Sequence, residues 1–467
     1  MKRSALSVIR RGLRATARQM LGLLPRESRF QLYRWLATCD PRPDADFELK
    51  IADTQEELEA CFRILHDAYV AEGFMAPDPS GLRVTVYHAL PTTTTLCAKY
   101  KGRVVGTISI IREGVFGFPL QTIFDLSELR ASRGQIAEVS ALAIDPHFRR
   151  TGGQVLFPLM KFMYEYCREY FDTRHIVIAV NPAKIELYES LLFFERLEAK
   201  VVDNYDFANG APAVGASLDL QLAQERFRAT YDGRPERKNL YRYFVENRMA
   251  NIRWPQRRFH TTNDPVLTPQ LMDYFFNQRT QVFETLDDRK RLLLRSIYGD
   301  AAYAKVLPSP SAEALAKVAL RQHRRFSIRC PAEFRVPSYG TWLVVPMQVT
   351  EVSQRGFHAE CTVPLPEGTR GQAVVELGER DTARIDAVAV RRHVTSRGVS
   401  YGFEVHGSDV TWAQCVTALE AGRTHVDLAP PIPAPAPPPP ARPVRALGTL
   451  AAHAGRQAPE PVVSVGG

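Results

Sequence analysis

The sequence predicts a multidomain α+β protein: a mixed α/β domain, a helical connector, a six-stranded β-barrel and a disordered tail. Three observations lead there. From Phe47 to about residue 222, strand and helix patterns alternate. Between Cys330 and Val405, short strands are separated by turns at Tyr339-Gly340, Pro366-Glu367-Gly368 and Arg397-Gly398. Pro430–Pro443 is rich in Pro and Ala, and the residues after it are small or polar, a composition that cannot build a core. A chain of 467 residues with 45% apolar and 24% charged residues has room for two to three such domains.

The elements follow in order. Residues 1–46 form a basic leader. Within it Leu6, Ile9, Leu13, Met20 and Leu24 share one helical stripe, with Arg3, Arg10, Arg11, Arg14 and Arg18 to one side. Such a helix suits an anionic membrane surface; a helix packed on the body, or a disordered arm, is the alternative. Asp40-Pro-Arg-Pro-Asp44 marks a break. The domain of residues 47–222 then shows a helix over 56–69, strands over 93–100 and 104–111 around Lys101-Gly102-Arg103, and a strand over 138–144. A helix over 154–171, a strand over 175–180, a helix over 182–192 and a strand over 216–220 complete it. Residues 223–317 read as a polar, helix-rich extension anchored by Tyr241, Tyr243, Phe244, Phe275 and Phe276. Residues 318–422 hold the barrel with a closing helix over 412–420, and residues 423–467 the tail.

Charge and cysteine usage narrow the function. The net charge is +9, yet residues 1–34 carry nine Lys/Arg against Glu27 alone, so the body is near neutral and generic nucleic-acid binding is disfavoured. The seven cysteines are scattered, without a C-x-x-C pair, and read as reduced intracellular thiols. The eleven histidines lack metal-ligand spacing, so no metal is expected. No apolar run approaches membrane-spanning length, and the leader lacks a secretory cleavage pattern. The expected location is cytoplasmic, with the leader as a peripheral contact to the inner face of the membrane.

Two arginine-bearing stretches carry ligand chemistry. Arg324-Arg325-Phe-Ser-Ile-Arg329 precedes Glu351-Val-Ser353-Gln-Arg-Gly356 by about two dozen residues. The pair resembles the R-x-x-x-R and [D/N]-x-S-x-x-G signature of the PilZ domain, a bacterial receptor for cyclic di-GMP. In that family the arginines lie just ahead of the barrel. A cyclic dinucleotide offers phosphates and guanine O6/N7 edges, both suited to the planar guanidinium fork. The resemblance implies Arg324, Arg325, Arg329, Glu351, Ser353 and Gly356 as the binding residues, with Glu351 departing from the usual Asp or Asn.

The 47–222 region resembles the GNAT acyltransferases, and more narrowly the long-chain N-acyl amino acid synthases related to acyl-homoserine-lactone synthases. The matching blocks are Leu90-Pro-Thr-Thr-Thr-Thr95, Val105-Gly-Thr-Ile-Ser109, Gly117-Phe-Pro-Leu120, Glu138-Val-Ser-Ala-Leu-Ala143 and Val180-Asn-Pro-Ala-Lys184 with Leu187-Tyr188. The resemblance implies a fatty acyl donor on acyl carrier protein, with no covalent cofactor. The donor would be held by Arg149, Arg150, Gly152 and Gly153 and by backbone near Leu142 and Ile144. Arg149, Arg150 and Lys161 would face the acidic carrier. Glu138 is the candidate for accepting the amine proton, oriented by Ser140, or else a structural carboxylate paired with an arginine such as Arg130. Asn181 and Tyr188 fall where relatives stabilise the thioester or protonate the leaving thiolate; Tyr188 is equally a core aromatic. Gln154 departs from the family's small residue. Ala141 stands where many relatives carry Arg, leaving Arg83, Arg112 or Lys184 to grip a substrate carboxylate. Apolar side chains such as Phe157, Leu159, Met160, Phe162 and Met163 are tunnel or plain core.

The resulting expectation is an N-acyltransferase acting on an amino acid amine and responsive to cyclic di-GMP. A catalytically inactive signalling adaptor that binds acyl groups or a partner is the alternative, favoured by Ala141 and Gln154.

Overall fold

Alternation decides the first strand: Phe47, Leu49 and Ile51 point inward and Glu48 and Lys50 outward, forming β1 (Phe47–Ile51). A computed structural model describes residues 23–420, apart from 133, 150–152, 172, 265–266, 299–300, 318–324, 362, 396–397 and 408. The leader stripe up to Met20, Arg150, Gly152, Arg324 and the proline-rich tail lie outside the described residues. The described residues belong to one unit, Met1–Ala429.

Eight strands make a mixed sheet in the order β1-β2-β3-β4-β5-β8-β6, with β7 paired to β8. They are β2 (Thr93–Tyr100), β3 (Arg103–Arg112), β4 (Gln135–Ile144), β5 (Thr173–Val180), β6 (Glu195–Arg196), β7 (Val202–Tyr205) and β8 (Ala211–Asp219). Lys101 and Gly102, with φ of 49° and 79°, close the β2–β3 hairpin in left-handed geometry. Among the described strands of this sheet, only β4 and β5 pair in parallel.

Helices cover both faces. α1 (Arg26–Leu36) begins after Pro25. It docks through Arg29–Glu186 at 2.5 Å, Arg26–Glu189 at 3.2 Å and Arg34 Nε to the Ser190 carbonyl at 2.8 Å. The described end of the basic leader therefore packs on the body. α2 (Gln55–Glu72) is capped by Thr54, whose hydroxyl accepts the Glu57 N–H, and ends at Gly73 with φ 77°. α3 (Leu156–Tyr170), α4 (Ile185–Leu192) and α5 (Leu220–Tyr231) complete the layer. Phe157, Leu159, Met160, Phe162 and Met163 are all buried in the core between α3 and the sheet.

The extension after α5 is less helical than expected. It is a wrap of short pieces in which α6 (Asp288–Ile297) is the longest helix. Its aromatic anchors divide between the faces: Tyr241, Tyr243 and Phe244 join the α3 core, and Phe275 and Phe276 the α2 core. This explains how a polar sequence stays ordered.

The second core lies inside a closed barrel in the order β10-β11-β14-β13-β12-β9. Its strands are β9 (Phe326–Ser338), β10 (Thr341–Ser353), β11 (Gly356–Cys361), β12 (Arg370–Glu376), β13 (Thr382–Thr395) and β14 (Gly398–His406), and α7 (Val410–Glu420) closes one end. The arginine motif straddles the start of this barrel: Arg325 precedes β9 and Arg329 lies within it. Phe326, Ile328 and Cys330 alternate inward, so Arg329 already belongs to β9.

Residues 254–264 tie barrel to sheet. Arg258 pairs with Asp381 of the barrel at 2.9 Å, and His260 N–H donates to the Leu377 carbonyl at 2.7 Å. The neighbouring Arg257 turns the other way, to buried Asp264 and Tyr166. Asp264 in turn accepts from Thr94 on β2 and from Tyr166 at 2.9 Å. Gly378 is required at this seam, because a Cβ there would lie 2.0 Å from the Arg258 carbonyl oxygen.

Candidate functional site

The site begins with a break in the sheet. β4 and β5 pair only from Gln135 opposite Thr173 to Glu138 opposite Val177. Beyond that point β5 continues against β8, and β4 continues against β3 alone. A β-bulge sits at the parting: Thr107 faces Ala143 while Ser109 faces Ser140, so Ala141 and Leu142 together oppose Ile108. Ala141 takes φ 55°, a left-handed conformation that costs a residue with a Cβ roughly 1–2 kcal/mol. The bulge and parting leave backbone groups of Val139–Ile144 without a strand on the β5 side, as a thioester-binding cleft requires. Leu142, Ile144 and Ser140 are half-buried along this segment.

Glu138 stands at the root of the parting. It is 1% exposed, accepts the Leu120 N–H at 3.0 Å, and has no cation beside it among the described residues. Burial pushes its carboxyl up to about 8, partly opposed by that N–H. Arg130, weighed as its partner, pairs with Glu113 at 2.7 Å and donates to Gln121 at 2.5 Å. Two phenols lie within electrostatic reach. Tyr87 is pushed up to about 12, by burial first and by Glu138 second; Tyr205 is raised by burial, then by Glu138 and Tyr87. Sequence reasoning missed both tyrosines. Tyr205 ends a four-residue strand with too little alternation to be seen, and it comes near Glu138 only when β7 folds back on β8.

The remaining sequence candidates separate. Arg149 folds over the end of β4, its Nε donating to the Ile144 carbonyl at 2.8 Å. Gly153 has φ 86°, and a Cβ there would meet the Phe157 ring at 2.5 Å, so the turn into α3 requires glycine. Gln154 is exposed. Lys161 is not a surface cation: it is fully buried, with Nζ 2.6 Å from Glu165 and donating to the carbonyls of Phe244 and Asn247 at 3.0 and 2.6 Å. Its place on the inner face of α3, under residues 244–247, makes it a structural clamp. Asn181 Oδ1 accepts the Ala183 N–H at 2.9 Å, shaping the turn into α4. Tyr188 is half-buried edge-on to Phe194, its ring centroid 5.9 Å away, with its phenol raised by burial.

The three cations proposed to replace an arginine at 141 differ in setting. Lys184 is exposed. Arg112 is buried, 3.7 Å over the Phe171 ring and 4.0 Å from Asp264; burial, partly opposed by Asp264, brings its guanidinium down to about 10. Arg83 is buried against Tyr69.

On the barrel, β9–β10 pairing sets Phe326 opposite Val352 and Ser327 opposite Glu351, so the two halves of the arginine motif are neighbours. Arg325 pairs with Glu351 at 3.2 Å, both about half exposed. Arg329 donates its backbone N–H to the His260 carbonyl at 3.0 Å. Ser353 is buried; its hydroxyl donates to the Gly356 carbonyl at 2.8 Å and its own carbonyl accepts the Trp412 indole N–H at 3.2 Å. A Cβ on Gly356 would lie 2.5 Å from the Phe403 carbonyl oxygen. His358, directly across β10–β11 from Glu351, joins the cluster. It went unseen because a lone histidine on a strand has no sequence signature.

Comparison with known proteins places the sheet domain. Residues 60–219 match the family model of the N-acyl amino acid synthase FeeM. Among solved structures, the chain is similar to FeeM, an N-acyl amino acid synthase from uncultured soil microbes. The identity is 26%, covering 38% of this chain and 93% of that one, with a TM-score of 0.33. It is also similar to the acyl-homoserine-lactone synthase LasI, at 13% identity over 37% of this chain and 90% of that one (TM-score 0.29). A third is the CoA-dependent acyl-homoserine lactone synthase BjaI, at 20% identity over 38% and 89% (TM-score 0.30). No curated protein matches the chain.

Among the described residues no helix is long and apolar enough to cross a membrane, and no group of His, Cys, Asp and Glu forms a metal cluster.

Proposed function

We propose that this chain is a cyclic di-GMP-responsive N-acyltransferase, moving a long-chain acyl group from acyl carrier protein to the amine of an amino acid. The observation that carries the transfer chemistry is Glu138. A buried carboxyl with no cation, raised to about 8, has nearly the proton affinity of an α-ammonium group. It takes a proton from the ammonium of the acceptor and leaves a neutral amine. The amine nitrogen then bonds to the thioester carbonyl carbon in the cleft between β4 and β5. The carbonyl oxygen becomes an oxyanion stabilised by backbone N–H groups of the parted β4 segment. The C–S bond breaks, the departing thiolate takes a proton from Tyr188, the donor this reading assigns, and the second proton of the nitrogen restores the Tyr188 phenol. Arg149 and Gly153, with Arg150 and Gly152, are assigned to the phosphate end of the donor arm.

The regulatory half rests on the barrel and on the adjacency of the two motif halves. Arg325 and Arg329 would take phosphate or guanine edges of cyclic di-GMP, with Ser353 and Gly356 shaping the turn. The exposed Arg325–Glu351 pair is worth at most about 1 kcal/mol, so a phosphate displaces it readily. The strap of residues 254–264 touches Arg329 through His260 and the transferase core through Arg257 and Asp264. A ligand that orders Arg329 thereby acts on β2 and β3 next to Glu138.

The second reading, an inactive adaptor, is favoured by Ala141, which supplies no cation at the bulge. Turnover of acyl carrier protein and amino acid by wild type, lost in Glu138→Gln, supports the synthase; nucleotide binding without turnover supports the adaptor.

A further inference from the structure

Arg83 is a buried cation without an anion. It is 5% exposed, and among the described residues no carboxylate lies within ion-pair reach. Its guanidinium donates once, from Nη2 to the Phe207 carbonyl at 2.5 Å, and lies 3.9 Å over the Tyr69 ring. Its Nε is buried with no partner, and so is the Tyr205 hydroxyl. Removing an uncompensated guanidinium from water is expensive, and burying unpaired donors adds to the cost. Glu138 repeats the pattern on the acid side: a buried carboxyl that accepts one N–H and has no cation beside it among the described residues. Tyr205 feels both, raised by Glu138 and lowered by Arg83. The guanidinium and the carboxyl thus flank Tyr205, whose ring lies 5.9 Å from that of Phe207, itself 5.5 Å from the Tyr87 ring, yet they do not pair with each other.

That arrangement is complementary to a zwitterion. We infer that Arg83 binds the α-carboxylate of the acceptor, with the Tyr205 hydroxyl as a second donor, while Glu138 faces its ammonium group. The substrate class is then a free α-amino acid; an amine, a lactone or an amino acid amide would leave Arg83 unpaired. The inference rests on the transferase reading for Glu138 and gives the arginine missing at Ala141 a replacement from the loop ahead of residues 86–89.

The test uses the full-length protein with the acceptor amino acid that gives most product, beside its primary amide. For wild type the free acid should have the lower KM by at least about 30-fold. Arg83→Met should raise KM for the free acid by a similar factor and leave KM for the amide nearly unchanged, and Arg83→Lys should recover part of the loss. Equal KM for acid and amide in wild type would overturn the carboxylate site while leaving the transferase intact, and needs no variant to fold. Binding of the same amino acid, followed by ligand-observed NMR, is independent of turnover. Binding lost in Arg83→Met without any turnover would keep the site and refute the transferase. No binding and no product would overturn both.

Discussion

Glu138, the proposed base, is also a liability. In the fold its carboxyl stays protonated up to about 8, whereas the unfolded chain ionises near the ordinary value of 4.5. A raised folded pKa means that stability falls as pH rises from about 4.5 to about 8 and then levels. Glu138→Gln should therefore be as stable as wild type at pH 5 and more stable at pH 9, read from thermal midpoints, while its kcat/KM drops by about 10²–10⁴-fold. Wild-type kcat/KM should rise with pH through about 8 as the base deprotonates. Stability and activity moving together in Glu138→Gln would point to a structural carboxylate. On the barrel, Arg325→Ala combined with Arg329→Ala should weaken cyclic di-GMP binding by two forked contacts of about 1–3 kcal/mol each, with the melting curve unchanged. Unchanged affinity by calorimetry would sink that assignment.

At the scale of elements, the bulge in β4 determines where the cleft opens. Ala141→Gly should relieve the left-handed strain by roughly 1 kcal/mol, less the entropy glycine adds to the unfolded chain, and Ala141→Val should destabilise by more than that. Denaturant midpoints measure both. Much of this level was legible in the sequence. Lys101-Gly102 announces a hairpin, alternation finds β2 through β5 to within a few residues, and Tyr339-Gly340 and Pro366–Gly368 fall between barrel strands that are longer than the short ones expected. The bulge was not legible, because Glu138–Ala143 reads as uninterrupted strand and only pairing with β3 reveals the extra residue. Nor was the cluster around Glu138: residues 83–87, Leu120 and Tyr205 come from three separate segments, and their meeting is a long-range consequence of folding. Lys161 misled for a related reason. A lysine on a helix is usually solvated, and the two carbonyls and Glu165 that satisfy it come from α3 and from a segment some eighty residues later.

For the whole molecule, the strap of residues 254–264 is the connection that matters. Its sequence, read as polar extension, hides Arg257 and Arg258 pointing into different domains. Gly378→Ala drives a Cβ against the Arg258 carbonyl and should loosen the seam. Basal transfer should survive while the response to cyclic di-GMP shrinks, seen as initial rates with and without nucleotide; a full response would remove the strap from the coupling.

The central claim is that one chain joins acyl transfer to nucleotide sensing. Purified protein, long-chain acyl carrier protein and a pool of amino acids, with products read by mass spectrometry with and without cyclic di-GMP, test it directly. The expected products are N-acyl amino acids whose rate of formation changes with the nucleotide. Absence of product in both conditions, with the nucleotide still bound, would contradict the claim.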